Sequence, residues 1–81
     1  MIVKISLFAA VKDMMGTDSM DVTLDDEATV GELKQLLVEQ HPSLLELVEK
    51  SVFSVDQEYV YDEKALYHGA EVGLIPPVSG G

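Results

Sequence analysis

Residues 20–37, Met20-Asp21-Val22-Thr23-Leu24-Asp25-Asp26-Glu27-Ala28-Thr29-Val30-Gly31-Glu32-Leu33-Lys34-Gln35-Leu36-Leu37, change their hydrophobic period halfway. Up to Leu24 apolar and polar residues alternate, the period-two pattern of a strand with one buried face. Asp25-Asp26-Glu27 breaks that pattern. Thr29 and Glu32 then stand at capping-box spacing, with Thr29 as N-cap and Glu32 reaching back from the third helical position. Val30, Leu33, Leu36 and Leu37 recur at helical spacing, so one apolar stripe runs to about Gln40. His41-Pro42 ends it, because a residue before proline is pushed out of helical geometry.

Upstream, Ile2 to Phe8 reads as a strand. Val3, Ile5 and Leu7 share one face, Lys4 and Ser6 the other, and Phe8 has the parity of the polar face. Ala9 to Met15 reads as a short helical turn with Gly16 as its C-cap. The short connection makes the first two strands an antiparallel hairpin. Downstream, Leu44, Leu45, Leu47 and Val48 suggest a second short helix. Ser51 to Val55 is a strand, Asp56-Gln57-Glu58 a turn and Tyr59-Val60-Tyr61 a short strand. After a His68-Gly69 turn comes Glu71-Val72-Gly73-Leu74-Ile75. In that last strand Val72 and Leu74 point one way, Gly73 and Ile75 the other, and Pro76-Pro77 ends it because proline cannot donate to the ladder.

The order is strand, strand, helix, then three strands. That is the ubiquitin-like β-grasp plan, an α+β fold: a mixed sheet of about five strands, one main helix and a short second one. In this plan the first and last strands run parallel, side by side, at the sheet centre. The expected organisation is one domain over residues 1–75 and an extended tail over residues 76–81, with no repeat or linker.

Bulk properties narrow the function. The chain has 81 residues, 47% of them hydrophobic, enough for one thin core and little room for a deep active site. Cysteine is absent, which excludes disulfides, thiolate nucleophiles and cysteine zinc sites within these residues. A secreted domain of this size usually carries disulfide staples, and no signal peptide or membrane-spanning run is visible, so the expected location is the cytoplasm. Fifteen acidic residues against five basic ones give a formal charge of −10. That argues against nucleic acid and anionic membranes as partners, and is compatible with steering toward a basic protein surface.

The most informative segment is the end, Pro76-Pro77-Val78-Ser79-Gly80-Gly81. Two prolines stiffen the exit from the sheet and favour an extended chain. From Pro77 onward five residues reach roughly 16 Å. Glycine has no β-carbon, so Gly80 and Gly81 suit a narrow tunnel in which a partner enzyme activates the Gly81 carboxylate. A carboxylate is a poor acyl donor, and adenylation converts it to a mixed anhydride that sulfur or amine nucleophiles attack. Phe8 and Ile75, at outward parity on neighbouring strands with Gly73 beside them, form an apolar patch of the kind that marks an interface.

The chain resembles the small subunit of molybdopterin synthase, a ubiquitin-like sulfur carrier, over essentially its whole length. The resemblance is carried by Leu7-Phe8-Ala9-Ala10-Val11-Lys12, Thr29-Val30-Gly31-Glu32-Leu33, Gly69-Ala70-Glu71-Val72 and, most specifically, the Pro76–Gly81 ending. It implies that Gly81 is adenylated by an E1-like partner at the expense of ATP. A sulfur donor system then converts it to a thiocarboxylate. The tail inserts into the large synthase subunit and passes sulfur to cyclic pyranopterin monophosphate, which becomes molybdopterin. It implies a heterotetramer of two small and two large subunits, and a partner-binding surface of Phe8, Tyr59 and Ile75 continued by Pro76, Pro77, Val78 and Ser79. The chain departs from the family pattern at Ile75, where phenylalanine is frequent, and at Tyr59, where an aliphatic residue is common.

By itself the chain is expected to be no enzyme and to hold no metal or cofactor. His41 and His68 read as surface residues, the acidic clusters as solvated loops, and Met14, Met15 and Met20 as core or rim. No glycine-rich phosphate loop is present, so ATP belongs to the activating partner. The same ending also fits a ubiquitin-like modifier joined to lysines through Gly81. The sulfur carrier of thiamin-thiazole synthesis ranks below it, since such chains are usually shorter and lack the double proline, and a plain interaction domain with an inert tail is a further alternative.

Overall fold

The computed structural model describes residues 1–76. Strand β1 (Ile2–Leu7) leads into helix α1 (Ala9–Met15) and strand β2 (Ser19–Thr23). Helix α2 (Val30–Gln40), a 3-10 turn at Pro42–Leu44 and helix α3 (Leu45–Lys50) follow, and then β3 (Val52–Val55), β4 (Glu58–Val60) and β5 (Glu71–Ile75). The sheet order is β2-β1-β5-β3-β4. Strand β5 runs parallel to β1, with Lys4 beside Glu71 and Leu7 beside Leu74, and antiparallel to β3. The expected ubiquitin-like β-grasp is therefore present, with the last strand at the centre of the sheet.

Every helix packs on one face of that sheet. Val3, Ile5 and Leu7 of β1, Phe53 and Val55 of β3, and Val72 and Leu74 of β5 meet Val30, Leu33 and Leu37 of α2, with Val11, Leu44 and Val48 from the shorter helices. All are buried. The parity read from sequence decides this: one residue in two along each strand is apolar and points to the helices.

Helix α2 has the expected bounds, but only half of the expected capping box. The Thr29 hydroxyl accepts from the Glu32 amide at 3.3 Å, whereas the Glu32 side chain makes no return bond among the described residues. The loop opposite satisfies the next two donors of the helix start. Val30 N–H donates to Lys64 O and Gly31 N–H to Asp62 O, both at 2.9 Å, so neighbouring orphan donors of the helix start are already satisfied. This close approach is why residue 31 is glycine: a β-carbon there would lie 3.3 Å from the Asp62 side chain.

Other boundaries shift by a residue. Phe8 leaves β1 and becomes the N-cap of α1. The connection of the first hairpin is a complete seven-residue helix, closed by Gly16 at φ 70°, whose N–H donates to Lys12 O. Leu24 lies beyond β2, and Tyr61 beyond β4. The third-to-fourth-strand turn is tighter than expected. Only Asp56 and Gln57 lie between Val55 and its partner Glu58, both at positive φ (50° and 74°), the backbone of a type I′ hairpin. The sequence signal for such a turn is Asn-Gly or Asp-Gly, and Asp-Gln lacks the glycine.

Candidate docking face

Among the described residues no element covers the sheet face away from the helices. Its middle is a cross-strand row of small side chains: Ser19 pairs with Ser6, Ser6 with Gly73, Gly73 with Ser54, and Ser54 with Tyr59 at the far edge. One row toward the C-terminal end of β5 stand large apolar groups. Phe8 follows Leu7 and so comes beside Ile75, which pairs with Val52. Phe8, Val52, Tyr59 and Tyr61 remain 47%, 45%, 75% and 85% exposed, and Ile75 is half-buried. Toward the other end lie Asp21, Lys4 and Glu71, joined by Asp56.

Between the two outer rows the small residues leave an open trough of about 350 Å³. Phe8 and Ile75 stand at one end, Glu71 and Gln57 toward the other, Tyr59 flanks Ser54 at the β4 edge, and Ser6, Gly73 and Ser54 form the floor. The floor depends on Gly73. A β-carbon there would come within 2.5 Å of Ser54 Oγ, which therefore lies directly over the glycine.

Backbone strain collects around this face. The three non-glycine residues with positive φ among the described residues are Ala9 (50°), next to Phe8, and the Asp56-Gln57 pair. Each such residue costs roughly 1 kcal/mol or more. At Ala9 the strain turns the chain out of β1 into α1, with Phe8 O accepting from the Val11 and Lys12 amides. At Asp56 the turn is tied to β5: Asp56 N–H donates to Glu71 O at 2.8 Å, and Glu71 N–H donates to Asp56 Oδ1 at 3.2 Å.

The structure thus brings together Phe8, Tyr59 and Ile75, the three body residues expected at the interface. Pro76 directly follows β5, so the tail sequence begins at the apolar end of this face. Pro77, Val78, Ser79, Gly80 and Gly81 lie outside the described residues. Val52, Ser54 and Tyr61 were missed as members of the face. The inward parity of Phe53 and Val55 marks Val52 and Ser54 as outward, but placing them beside Ile75 and Gly73 requires the pairing register. His68, read as a plain surface residue, is exposed but also accepts the Ile2 amide on Nδ1 at 3.0 Å. Among the described residues no group of three or more histidine, aspartate or glutamate side chains is placed to hold a metal ion, and no helix is long and apolar enough to cross a membrane.

Among the described residues, helices on one face only of a five-stranded mixed sheet, with the C-terminal strand at its centre, define a ubiquitin-like β-grasp domain. The ThiS family matches residues 5–81. The chain belongs to that family. It is 36% identical over 81 residues to the molybdopterin synthase sulfur carrier subunit of Chlamydomonas reinhardtii, covering 98% of each chain. Its fold superposes on the crystal structure of small archaeal modifier protein 1 from Haloferax volcanii with a TM-score of 0.88, at 30% identity and with 100% of both chains covered. It is also similar in fold, at a TM-score of 0.74 and 22% identity over 100% of both chains, to a chain in the complex of subunits 1 and 2 of molybdopterin-converting factor from Helicobacter pylori. The resemblance to molybdopterin synthase small subunits read from the sequence is borne out by these relatives.

Proposed function

We propose that the chain is the sulfur-carrying small subunit of molybdopterin synthase and that its reacting group is the Gly81 carboxylate. The observation that carries this reading is the placement of β5. The strand is held between β1 and β3, and its exit at Pro76 adjoins the Phe8/Ile75 face. A body that docks through that face delivers residues 77–81 into the same partner. The fold likeness to a subunit solved in complex with a second subunit of molybdopterin-converting factor supports the large synthase subunit as that partner.

The chemistry follows from the handle. An E1-like enzyme joins the Gly81 carboxylate to the α-phosphorus of ATP and releases pyrophosphate. A sulfur nucleophile from a donor system displaces AMP and leaves a thiocarboxylate. In the large subunit the terminal sulfur passes to cyclic pyranopterin monophosphate, and Gly81 returns to a carboxylate. The chain's own part is to dock and to present the acyl group; catalytic side chains and ATP belong to the partners. This division fits a domain whose largest described cavities are open and shallow.

Intact-mass measurement tests the reading. Incubation with ATP, the E1-like enzyme and a sulfur donor is expected to raise the mass by the difference between sulfur and oxygen. Addition of the large subunit and precursor is expected to reverse it. An unchanged mass under conditions that thiocarboxylate a known carrier refutes the proposal. The likeness to a small archaeal modifier favours a second reading, conjugation of Gly81 to lysines of other proteins. Gly-Gly remnants on lysines after tryptic digestion of cells, lost when the gene is deleted, would carry that one.

A further inference from the structure

Three groups around the trough are left without partners. Ser54 is 8% exposed, its hydroxyl has no hydrogen-bond partner among the described residues, and it is not sealed in the core. The hydroxyl lies over Gly73 and opens into the trough. The Glu71 carboxylate makes no ion pair among the described residues, although Lys4 is its cross-strand neighbour. Its backbone is already engaged with Asp56, so the side chain is free to turn over the trough. The exposed aromatic rings of Phe8 and Tyr59 line the same trough, Tyr59 beside Ser54.

An apolar knob from a partner would satisfy the aromatic wall but would bury the Ser54 hydroxyl and the Glu71 carboxylate unpaired, which is costly. A long cationic side chain satisfies both. Its methylene stem lies against the rings, its charge meets Glu71, and its remaining donors reach Ser54 and the Gln57 end. Arginine fits best, because its planar guanidinium stacks on aromatic rings and offers five donors. The net charge of −10 favours a basic partner surface before contact is made.

We infer that the trough over Gly73 is a receptor for a cationic side chain, best an arginine, projected by the docking partner, with Glu71 and Ser54 as its specificity-determining acceptors. The inference rests on the proposed docking of this face. It assigns to Gly73 a definite job: to leave room for the Ser54 hydroxyl on the trough floor, where the entering side chain meets it.

The test is the Kd of the full chain for the molybdopterin synthase large subunit from the same source, measured by calorimetry at low and high salt. E71Q, S54A and F8A are compared with E46Q, whose residue is exposed on α3, and thermal melts confirm that each variant folds. E71Q is expected to weaken binding about tenfold and to flatten the salt dependence, and S54A to weaken it about threefold. E46Q is expected to stay within about twofold of the unsubstituted chain. If E71Q binds like E46Q while F8A weakens the complex, the cation receptor is overturned and the docking face stands. If F8A too leaves binding unchanged, the docking reading itself falls, and the receptor with it.

Discussion

The two faces of the sheet are made from the same strands by alternate residues, yet they solve different problems. On the helix side Phe53, Ile5, Leu33, Leu37 and Leu74 are closed off from water, and no buried polar side-chain atom among the described residues lacks a partner. On the other side Phe8, Val52, Tyr59 and Tyr61 stay exposed, Ser54 and Glu71 have spare hydrogen-bonding capacity, and the strained backbone of Ala9, Asp56 and Gln57 borders the patch. The first face holds the fold together. The second keeps apolar area and polar capacity that the fold does not use, as expected of a surface completed by another molecule.

The largest effect that would separate the faces comes from Phe53→Ala. It removes the largest buried side chain from the helix side and is expected to cost about 3–5 kcal/mol, read by denaturant unfolding. In a domain with a total stability of roughly 5 kcal/mol or little more, that substitution leaves much of the population unfolded. Phe8→Ala on the other face is expected to change stability by less than about 1 kcal/mol, yet to weaken the partner complex by about 2 kcal/mol, as an anchor residue does. A Phe8→Ala variant that unfolds like Phe53→Ala would erase the distinction.

Thr29→Ala tests the layer that closes the first face. Loss of the Thr29 hydroxyl bond to the Glu32 amide is expected to cost about 1 kcal/mol, without effect on docking. The smallest effect runs the other way. Gln57→Gly relieves a residue at φ 74° and converts the turn to Asp-Gly, which is expected to stabilise the chain by about 0.5–1 kcal/mol. A destabilised Gln57→Gly would mean that the turn carries no strain, and would weaken the claim that strain gathers on the docking side.

The two faces were not equally legible in the sequence. Alternation marks the inward residues of β1, β3 and β5 directly, because burial of one face is written at every second position. The placement of Phe8 beside Ile75 also followed from parity, once the first and last strands were set side by side. What alternation cannot supply is the pairing register that puts Ser54 against Gly73 and Val52 against Ile75. The trough is made by that register and by the absence of one β-carbon. The sequence marks a turn at Asp56-Gln57-Glu58, but its tight two-residue form escaped because its chemistry departs from the glycine that such a backbone prefers. The contacts beside the half-made capping box escaped because the carbonyls of Asp62 and Lys64, which accept the Gly31 and Val30 amides, are remote in sequence.

The strand order has a consequence for how the chain comes to exist. Strands β1 and β2 form one hairpin, β3 and β4 another, and β5 alone bridges them. Its partner Lys4 is 67 residues away from Glu71 by number (71 − 4), so this closure is among the slowest contacts to be made. A nascent chain whose synthesis stops before Glu71 holds two hairpins with nothing between them and cannot complete the sheet. Among the described residues the last strand to be translated is thus the one that locks the domain, and it immediately precedes the Pro76–Gly81 segment. A chain released before β5 is made cannot close the sheet, and so offers no docking face between β1 and β3.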